Sequence, residues 1–319
     1  MPIKVIMTQD FDHMSRVASD LVQKDIIHGL RQKGEYILGL ATGSSPTGLY
    51  KRLAESANAG EWDSGRIRSF NLDEYVGLPG QNAQERMMHP ESYCFFMIQE
   101  FFGLLSRKFK EFNVPYGSLI DQEKLGLELK AHPDDWREIG RDAGRWIRIK
   151  ARPVSKYLAW VRNAVLVAYA QRIKKAGGID LHIIGVGGRG HVAFHEAGIP
   201  FKDSKVMLVR LDDNTVANAV ADGHFPSKKD SPRYAITMGA ELVYQARKVI
   251  LLASGERKSE PVAKSLLEDP TADVPISYGQ IYSQKGGHLI YVVDKTAGRE
   301  LLAKRRMLRG KGITIQDRP

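Results

Sequence analysis

Cysteine is almost missing from this sequence, in which Cys94 is the single thiol among 319 residues. One cysteine excludes an intramolecular disulfide framework and a zinc site built from several thiolates. Structural disulfides belong to oxidising compartments, so their absence favours a reducing, cytoplasmic location. The metal-ligand spacing HExxH is absent as well, and the histidines therefore predict no metal site of that kind.

Long apolar runs are also missing. No segment approaches the roughly 20 apolar residues that a membrane-spanning helix needs. The first fifteen residues lack the apolar stretch and the small-residue cleavage site of a secretory signal peptide. There is neither an internal repeat nor a low-complexity tract. We therefore expect no membrane partner and no repeat architecture.

The composition that remains is that of an ordinary globular protein, with 43% hydrophobic and 26% charged residues. A chain of this length can bury a large core in one large domain or two modest ones. The formal net charge of +10 suggests an anionic ligand or partner. It does not distinguish a phosphorylated metabolite from a nucleic acid.

Short apolar runs predict buried strands over residues 3–7, 36–40, 67–71 and 181–184. Between the first two runs, apolar residues at helical spacing predict an amphipathic helix over residues 10–31. A further core helix is predicted over residues 155–175, directly before the last of these strands.

A glycine-rich turn, Gly185-Val186-Gly187-Gly188-Arg189-Gly190, follows the strand over residues 181–184, and His191, His195 and Glu196 come next. Glycines let the backbone approach a ligand without Cβ clashes. In an open α/β sheet, the loop after the carboxyl end of a strand is where ligands bind, and an imidazole there can transfer protons near neutral pH. The alternative is a tight strand-to-helix turn with a surface histidine, and the glycines alone favour that alternative.

A second candidate stretch, Ala41-Thr42-Gly43-Ser44-Ser45, lies between the strand over residues 36–40 and a helix that begins at Pro46. Ser45 is predicted to cap that helix, because serine suits the N-cap and proline the first helical position. Free N–H groups and the helix dipole would favour an anion at this point. Ordinary capping explains one serine, but it does not require the other three residues.

A third stretch places two carboxylates, Asp73 and Glu74, just after the strand over residues 67–71. Carboxylates at the end of a strand are candidates for acid–base chemistry, although a solvated pair in a loop is the commoner outcome. Shortly afterwards, HPESY from His89 begins an apolar helix, whose aromatic side chains we expect to lie mostly in the core.

Together these stretches resemble the glucosamine-6-phosphate deaminase/isomerase family, which is related to the 6-phosphogluconolactonases. The sequence matches are LGLATGSSPTGLYKRL from Leu38, FNLDEYVGLP from Phe70, HPESY from His89 and GVGGRGHVAFHE from Gly185. Weaker matches are TVAN from Thr215, YAITMG from Tyr234 and ASGERK from Ala253. The pair FNLDEYVGLP and HPESY is typical of the deaminase branch.

The resemblance implies one α/β domain over residues 1–319, with a doubly wound, mostly parallel open sheet flanked by helices. It implies an enzyme without cofactor or metal that isomerises an aldose phosphate to a ketose phosphate and releases ammonia. The substrate-binding residues would be Thr42, Gly43, Ser44, Ser45, Gly187, Arg189 and Lys258. Asp73 would shuttle a proton between C2 and C1 of the open-chain sugar. His191 would assist ring opening, and Glu196 would orient this histidine.

The sequence departs from the family in the half of the site that opens the ring. Arg189 stands where the family usually has aspartate, and His195 stands where it usually has asparagine. The family arginine that helps to hold the phosphate has no counterpart in residues 219–221. A guanidinium near His191 would disfavour imidazolium and could bind an acidic substrate group, so Arg189 predicts a preference for neutral or acidic sugar phosphates. A related phosphosugar isomerase or a 6-phosphogluconolactonase-type hydrolase is therefore the alternative function.

Residues 125–156 are longer than the family requires. Arg137, Arg141, Arg145 and Arg148 recur at helical spacing and predict a basic helix in this insert. A solvated helix is the favoured interpretation, and the alternative is an arm at an oligomer interface. We expect a homo-oligomer.

A third function is a non-catalytic sugar-phosphate sensor, since related folds serve in sugar-responsive repressors. The residues before Ile37 leave no room for a helix-turn-helix domain. Nucleic-acid binding is therefore the least expected function, and a small sugar phosphate is the expected partner.

Overall fold

The computed structural model describes residues 3–142 and 144–318. The strands are β1 (Lys4–Thr8), β2 (Tyr36–Leu40), β3 (Ile67–Asn71), β4 (Asp73–Val76), β5 (Glu111–Asn113), β6 (Trp136–Ile139), β7 (Arg145–Ile149), β8 (Leu181–Ile184), β9 (Val206–Arg210), β10 (Tyr234–Met238), β11 (Lys248–Ala253), β12 (His288–Asp294) and β13 (Thr314–Asp317).

The helices alternate with these strands along most of the chain. They are α1 (Phe11–Lys33), α2 (Thr47–Asn58), α3 (Ala83–Met87), α4 (Tyr93–Met97), α5 (Gln122–Ala131), α6 (Lys156–Trp160), α7 (Ala168–Lys175), α8 (Asp213–Ala221), α9 (Ala240–Val243), α10 (Ser259–Leu267), α11 (Tyr278–Gln284), α12 (Arg299–Ala303) and α13 (Arg305–Gly310). Two π-helical segments continue helices: Ile98–Phe102 follows α4, and Val161–Val167 joins α6 to α7. The predicted core helix over residues 155–175 is thereby confirmed.

The strands form two sheets. The larger has eight strands in the order β13-β1-β12-β11-β8-β2-β3-β5, and every neighbouring pair is parallel. Parallel neighbours need crossover connections, which here are mostly helical. This sheet confirms the predicted doubly wound α/β class. A second, antiparallel sheet in the order β4-β10-β9-β7-β6 was not predicted.

Helix α1 shows how the sequence specifies the layers. The Asp10 side chain accepts a hydrogen bond from the His13 amide at 2.8 Å and caps the start of the helix, and Gly34 ends it with φ 81°. The helix buries a stripe of side chains at helical spacing: Met14, Ala18, Val22, Ile26 and Leu30. This stripe packs against one face of the parallel sheet together with α2, while α7 and α10 cover the other face. The core therefore lies in two layers.

The predicted basic helix in the insert is wrong, because β6 and β7 form an antiparallel hairpin there. Trp136 pairs with Ile149, and Arg137 pairs with Arg148. A helix cannot run through this stretch, since Gly140 has φ 128° and a Cβ atom on it would lie 2.2 Å from the Gly144 carbonyl oxygen. Gly140 and Gly144 thus outweigh the helical spacing of the four arginines, because the backbone at Gly140 is left-handed and leaves no room for a Cβ atom.

The His182 ring on β8 makes a close approach to Gly39 on the neighbouring strand β2, where a Cβ atom would lie 1.9 Å from the ring. We expect Gly39→Ala to lower the free energy of unfolding by about 1–3 kcal/mol, as overpacking does in other cores. Urea denaturation would measure the change. Gly126→Ala on α5 is the matched control: nothing lies within 4 Å of its Cβ position, so it should stabilise the protein by up to about 1 kcal/mol through helix propensity. An unchanged midpoint for Gly39→Ala would contradict the close approach.

None of the helices in the described ranges is long and apolar enough to cross a lipid bilayer.

Candidate active site

The carboxyl ends of four neighbouring strands, β11, β8, β2 and β3, meet at one edge of the parallel sheet. A cavity of about 620 Å³ opens at this edge. Its lining includes residues 41–45 after β2, Asp73 after β3, Gly187 and His191 after β8, and Lys258 after β11. The fold thus brings these distant stretches together, because parallel strands bring their carboxyl ends to the same edge.

The loop after β2 presents Thr42, Gly43, Ser44 and Ser45 to the cavity. Gly43 has φ 94°, a left-handed backbone conformation that glycine adopts without strain. The predicted capping role of Ser45 is wrong: α2 begins at Thr47, Pro46 stands at its N-cap, and no side chain caps it. The serine hydroxyls are therefore not used for capping, and the positive end of the α2 dipole faces the loop. These features suit an anion.

Two cations join this loop at the cavity. Lys258 stands at the N-cap of α10 and is half-buried, and no carboxylate in the described ranges lies within ion-pair distance of its Nζ. Burial, reinforced by the neighbouring Arg257, lowers the pKa of Lys258 below its ordinary value. Arg257 also lines the cavity, and its guanidinium lies 3.3 Å from Asp222. A bound anion would offset both the desolvation of the Lys258 ammonium and its repulsion by the Arg257 guanidinium.

The two adjacent carboxylates after β3 have different surroundings. Asp73 is 4% exposed and lines the cavity, and burial, reinforced by Glu74, raises its pKa well above the ordinary range. Glu74 instead caps helix α4: it accepts hydrogen bonds from Ser92 Oγ at 2.8 Å and from the Tyr93 and Cys94 amides at 3.0 Å. Of these two carboxylates, Asp73 is therefore the one placed to exchange a proton with a bound molecule.

His191 and Glu196 form a pair, as predicted. The His191 Nδ1 atom lies 3.1 Å from Glu196 Oε2, and Thr215 Oγ1 donates to the other carboxylate oxygen at 2.7 Å. Burial alone would raise the pKa of Glu196, but His191 and Thr215 together hold it below its ordinary value. An ionised Glu196 keeps the Nδ1 proton on the imidazole and leaves Nε2 available to the cavity.

Gly187 allows His191 to lie where it does. A Cβ atom on Gly187 would lie 1.6 Å from His191 Nε2, so the ring packs directly over the glycine backbone. The Gly187 amide also donates to the His191 carbonyl oxygen at 3.0 Å. Gly187, a predicted substrate-binding residue, lines the cavity, and the His191 ring gives a steric reason for a glycine at this position.

Arg189 and His195, the two departures from the family, lie away from the cavity lining. The Arg189 guanidinium is 3.4 Å from Asp212 Oδ2, and the residue does not line the cavity. His195 is fully buried, accepts a hydrogen bond from the Ala240 amide at its Nδ1 and donates from Nε2 to the Ile199 carbonyl oxygen. Burial lowers the pKa of His195 to about 4, so it is a neutral structural residue. The geometry gives no support to a substrate preference set by Arg189.

Several lining residues were missed by sequence reasoning. Tyr75, Tyr93 and Phe194 form an aromatic wall with ring centroids 5.0–5.7 Å apart. Glu91 also lines the cavity, and its carboxylate lies 2.7 Å from His224 Nδ1. Tyr75, Glu91, Tyr93 and Phe194 lie inside the sequence motifs that match the family. Their place in those motifs, close to the predicted site residues, could have identified them. His224 carried no such signal, because it follows the weaker TVAN match.

Across residues 3–142 and 144–318, no three histidine, cysteine, aspartate or glutamate side chains come together in a way that could hold a metal ion.

Fold and site together define a doubly wound α/β enzyme in which a loop suited to an anion shares one cavity with an acid–base group. A family profile described as glucosamine-6-phosphate isomerases/6-phosphogluconolactonase matches residues 146–285. The glucosamine-6-phosphate deaminase of a Thermoanaerobacter species is 32% identical over 296 residues, which cover 92% of this chain and 94% of that protein. The glucosamine-6-phosphate deaminase of Clostridium acetobutylicum is 30% identical over 94% of this chain and all of its own length. The chain belongs to the glucosamine-6-phosphate isomerase/6-phosphogluconolactonase family.

Solved structures agree on the fold. A monomeric glucosamine-6-phosphate deaminase superposes with a TM-score of 0.69 and 26% identity, covering 93% of this chain and 99% of that one. The 6-phosphogluconolactonase of Trypanosoma brucei superposes with a TM-score of 0.60 at 16% identity, covering 94% and 99% of the two chains. The second likeness supports the shared fold alone.

Proposed function

We propose that this enzyme converts glucosamine 6-phosphate, or a closely related amino-sugar phosphate, into a ketose phosphate with release of ammonia. The observation that carries the proposal is Asp73, a buried carboxylate of raised pKa that shares one cavity with the anion-type loop of residues 42–45 and with His191. The names of the relatives supply the substrate class.

The phosphate is assigned to the loop of residues 42–45 and to Lys258. Backbone N–H groups at the start of α2, the serine hydroxyls and the ammonium would each donate to phosphate oxygens. Arg257 lines the same cavity and adds a second cation, which is notable because residues 219–221 lack the family arginine.

Ring opening is assigned to His191. Because Glu196 holds Nδ1, the Nε2 lone pair can accept the proton of the sugar hydroxyl at C1 and later return it to the ring oxygen. The pair resembles other carboxylate–imidazole pairs, in which the carboxylate fixes the tautomer and raises the basicity of the ring.

Proton transfer between carbons is assigned to Asp73. The carboxylate would take the C2 proton while the aldehyde oxygen at C1 gains a proton from solvent, which gives an enolamine with a C1–C2 double bond. The Asp73 carboxyl group would then deliver its proton to C1 while the amine nitrogen releases one proton to solvent, which leaves an imine at C2. Water then adds to that imine and ammonia leaves, which yields the ketose. A carboxyl group of raised pKa suits both directions, because it is a stronger base and remains a competent acid.

The phosphate assignment is tested by removing the Lys258 ammonium. We expect Lys258→Ala to weaken binding of the sugar phosphate about tenfold to hundredfold, since a charge-assisted hydrogen bond contributes about 1.5–3 kcal/mol. Isothermal calorimetry would measure the dissociation constant. Lys264→Ala, which removes a lysine of the same helix that pairs with Glu260 outside the cavity, should leave it unchanged. Equal affinities for both variants would exclude Lys258 from the phosphate site.

The reaction itself is tested by incubating the purified protein with glucosamine 6-phosphate and with neutral sugar phosphates while ammonia and ketose are followed. Equimolar ammonia and ketose from the amino sugar are expected. Turnover of a neutral aldose phosphate, or hydrolysis of a phosphogluconolactone, in place of deamination would contradict the proposal.

The quaternary structure and location remain predictions. We expect a homo-oligomer, to be checked by light scattering, and a cytoplasmic enzyme with no nucleic-acid partner, to be checked by cell fractionation and by gel-shift measurements.

A further inference from the structure

A second cavity, also of about 620 Å³, lies beside the active site without sharing a lining residue with it. It is bounded by α3, by α4 with the π-helical segment that follows, and by the loop after β5. The lining side chains are mainly apolar: Met87, Ile98, Phe102, Phe112, Val114, Pro115. Its volume lies within the range of about 300–1,000 Å³ that small-molecule sites occupy.

Apolar side chains are unusually open to solvent at this cavity. Met87 is 36% exposed, Ile98 37% and Phe112 38%. Large apolar groups exposed around one concave site are costly in water and mark places where a ligand binds.

The charged groups in the lining already have their full set of partners. Glu74 accepts the hydrogen bonds that cap α4 and one more from the Tyr75 amide at 2.8 Å. Lys108 Nζ donates to three backbone carbonyl oxygens, at 2.6, 3.0 and 3.1 Å. Burial and the nearby Glu74 raise the pKa of the Cys94 thiol to about 11, so this side chain is uncharged near neutral pH. No charge in the lining is left for an ionic ligand, which defines the chemistry of the occupant.

We propose that this cavity binds an uncharged, mainly apolar small molecule, and that its occupancy alters turnover at the active site. The connection is helix α4 with its π-helical extension. Tyr93 and Phe96 line the active-site cavity, whereas Cys94 and Ile98 line the second one. Glu74, which caps the start of this helix, directly follows Asp73 in the sequence. A shift of α4 would therefore reach both the aromatic wall and the proton-transferring carboxylate.

Binding is tested with the neutral dye Nile red and two matched variants. Ile98→Trp should fill the cavity, while Leu127→Trp places the same side chain at a 69% exposed position outside the lining. Saturable binding of one dye per chain is expected for the wild type and Leu127→Trp, with at least a tenfold loss for Ile98→Trp. Binding that is unsaturable, or equal in both variants, would overturn the proposal.

The single thiol gives a second readout that does not depend on the tryptophan variants. Bound Nile red should slow alkylation of Cys94 by N-ethylmaleimide, whereas an unchanged rate at saturating dye would place the dye elsewhere and overturn the site. Light scattering tests whether a second copy of this chain covers the cavity instead of a small molecule. If the wild type is a dimer and Ile98→Trp a monomer, this face is an interface between copies, and the small-molecule proposal fails.

The effect on turnover rests on the proposed function, whereas dye binding does not. Saturating dye should change kcat or KM for glucosamine 6-phosphate in the wild type but not in Ile98→Trp. Where the dye changes the affinity for the sugar phosphate, linkage requires the sugar phosphate to change the dye's dissociation constant by the same factor. Dye binding without any shift in either direction would overturn the coupling. Dye binding by a protein that does not deaminate the sugar would refute the proposed function and leave the site in place.

Discussion

Asp73→Asn is expected to lower kcat by about two orders of magnitude or more, with little change in the affinity for the sugar phosphate. The substitution keeps the shape of the side chain, replaces one carboxylate oxygen with an NH2 group and removes the ability to accept a proton. The other carboxylates in the cavity lining are already paired, Glu91 with His224 and Asp222 with Arg257, so neither is placed to take over the role of Asp73. Steady-state kinetics and calorimetry on the same preparation would separate the two effects.

The pH dependence of the wild type provides an independent check. Burial, with Glu74 beside it, raises the pKa of Asp73, so the basic form is lost at a higher pH than for an ordinary carboxyl group. Turnover should therefore fall, as pH is lowered, through a pKa above the ordinary carboxyl value of about 3.9. Exchange of the substrate C2 proton with deuterated solvent should follow the same profile and vanish in Asp73→Asn.

The raised pKa of Asp73 also predicts whether its ionisation stabilises or destabilises the folded protein. A group whose pKa is raised in the folded state favours folding when it is protonated, and this contribution is lost as pH rises through the folded pKa. Above the folded pKa the ionised, buried Asp73 therefore costs stability, and in that range Asp73→Asn should melt at the same temperature or higher. Lost turnover in a variant of unchanged or greater stability identifies a functional role. Retained turnover on glucosamine 6-phosphate would show that Asp73 does not transfer the proton.

Gly187→Ala is expected to lower kcat by about a hundredfold, although alanine adds only one methyl group. A Cβ atom 1.6 Å from His191 Nε2 cannot coexist with the present ring position, so the imidazole must leave the place over the glycine. Moving the ring also lengthens the 3.1 Å contact between Nδ1 and Glu196. Nuclear magnetic resonance of the His191 ring protons would report the displacement directly.

Gly188→Ala is the matched control in the same turn. Its Cβ position has one neighbour, Asn218 Nδ2 at 3.8 Å, which is an ordinary contact, and Gly188 does not line the cavity. Kinetics close to the wild type are expected for this variant. If Gly187→Ala kept full turnover with an undisplaced ring signal, the packing of His191 over the turn would not be required for catalysis.

Much of the site could be predicted because it lies where buried strands end. Apolar runs identified β2, β3 and β8, and the polar or glycine-rich stretches that follow them supplied the loop of residues 42–45, Asp73 and His191. Parallel strands bring such ends together whatever their separation in the chain, so local pattern was sufficient to place them at one edge. The pairing of His191 with Glu196 could be predicted from the family motif, because both residues belong to the same short stretch of the sequence.

The sequence by itself thus determined the buried strands β1, β2, β3 and β8, the helix α1, the layer class and the stretches that meet at the site. Tertiary structure alone decided which of two adjacent carboxylates faces the cavity, that Arg189 turns to Asp212, and that His195 is a buried neutral residue. It also decided that residues 136–149 form a hairpin in a second sheet. Each of these outcomes depends on a partner far away in the chain, such as the amides of α4 for Glu74 or β9 for β7. The direction of a side chain and its burial are properties of that pairing, and local spacing does not encode them.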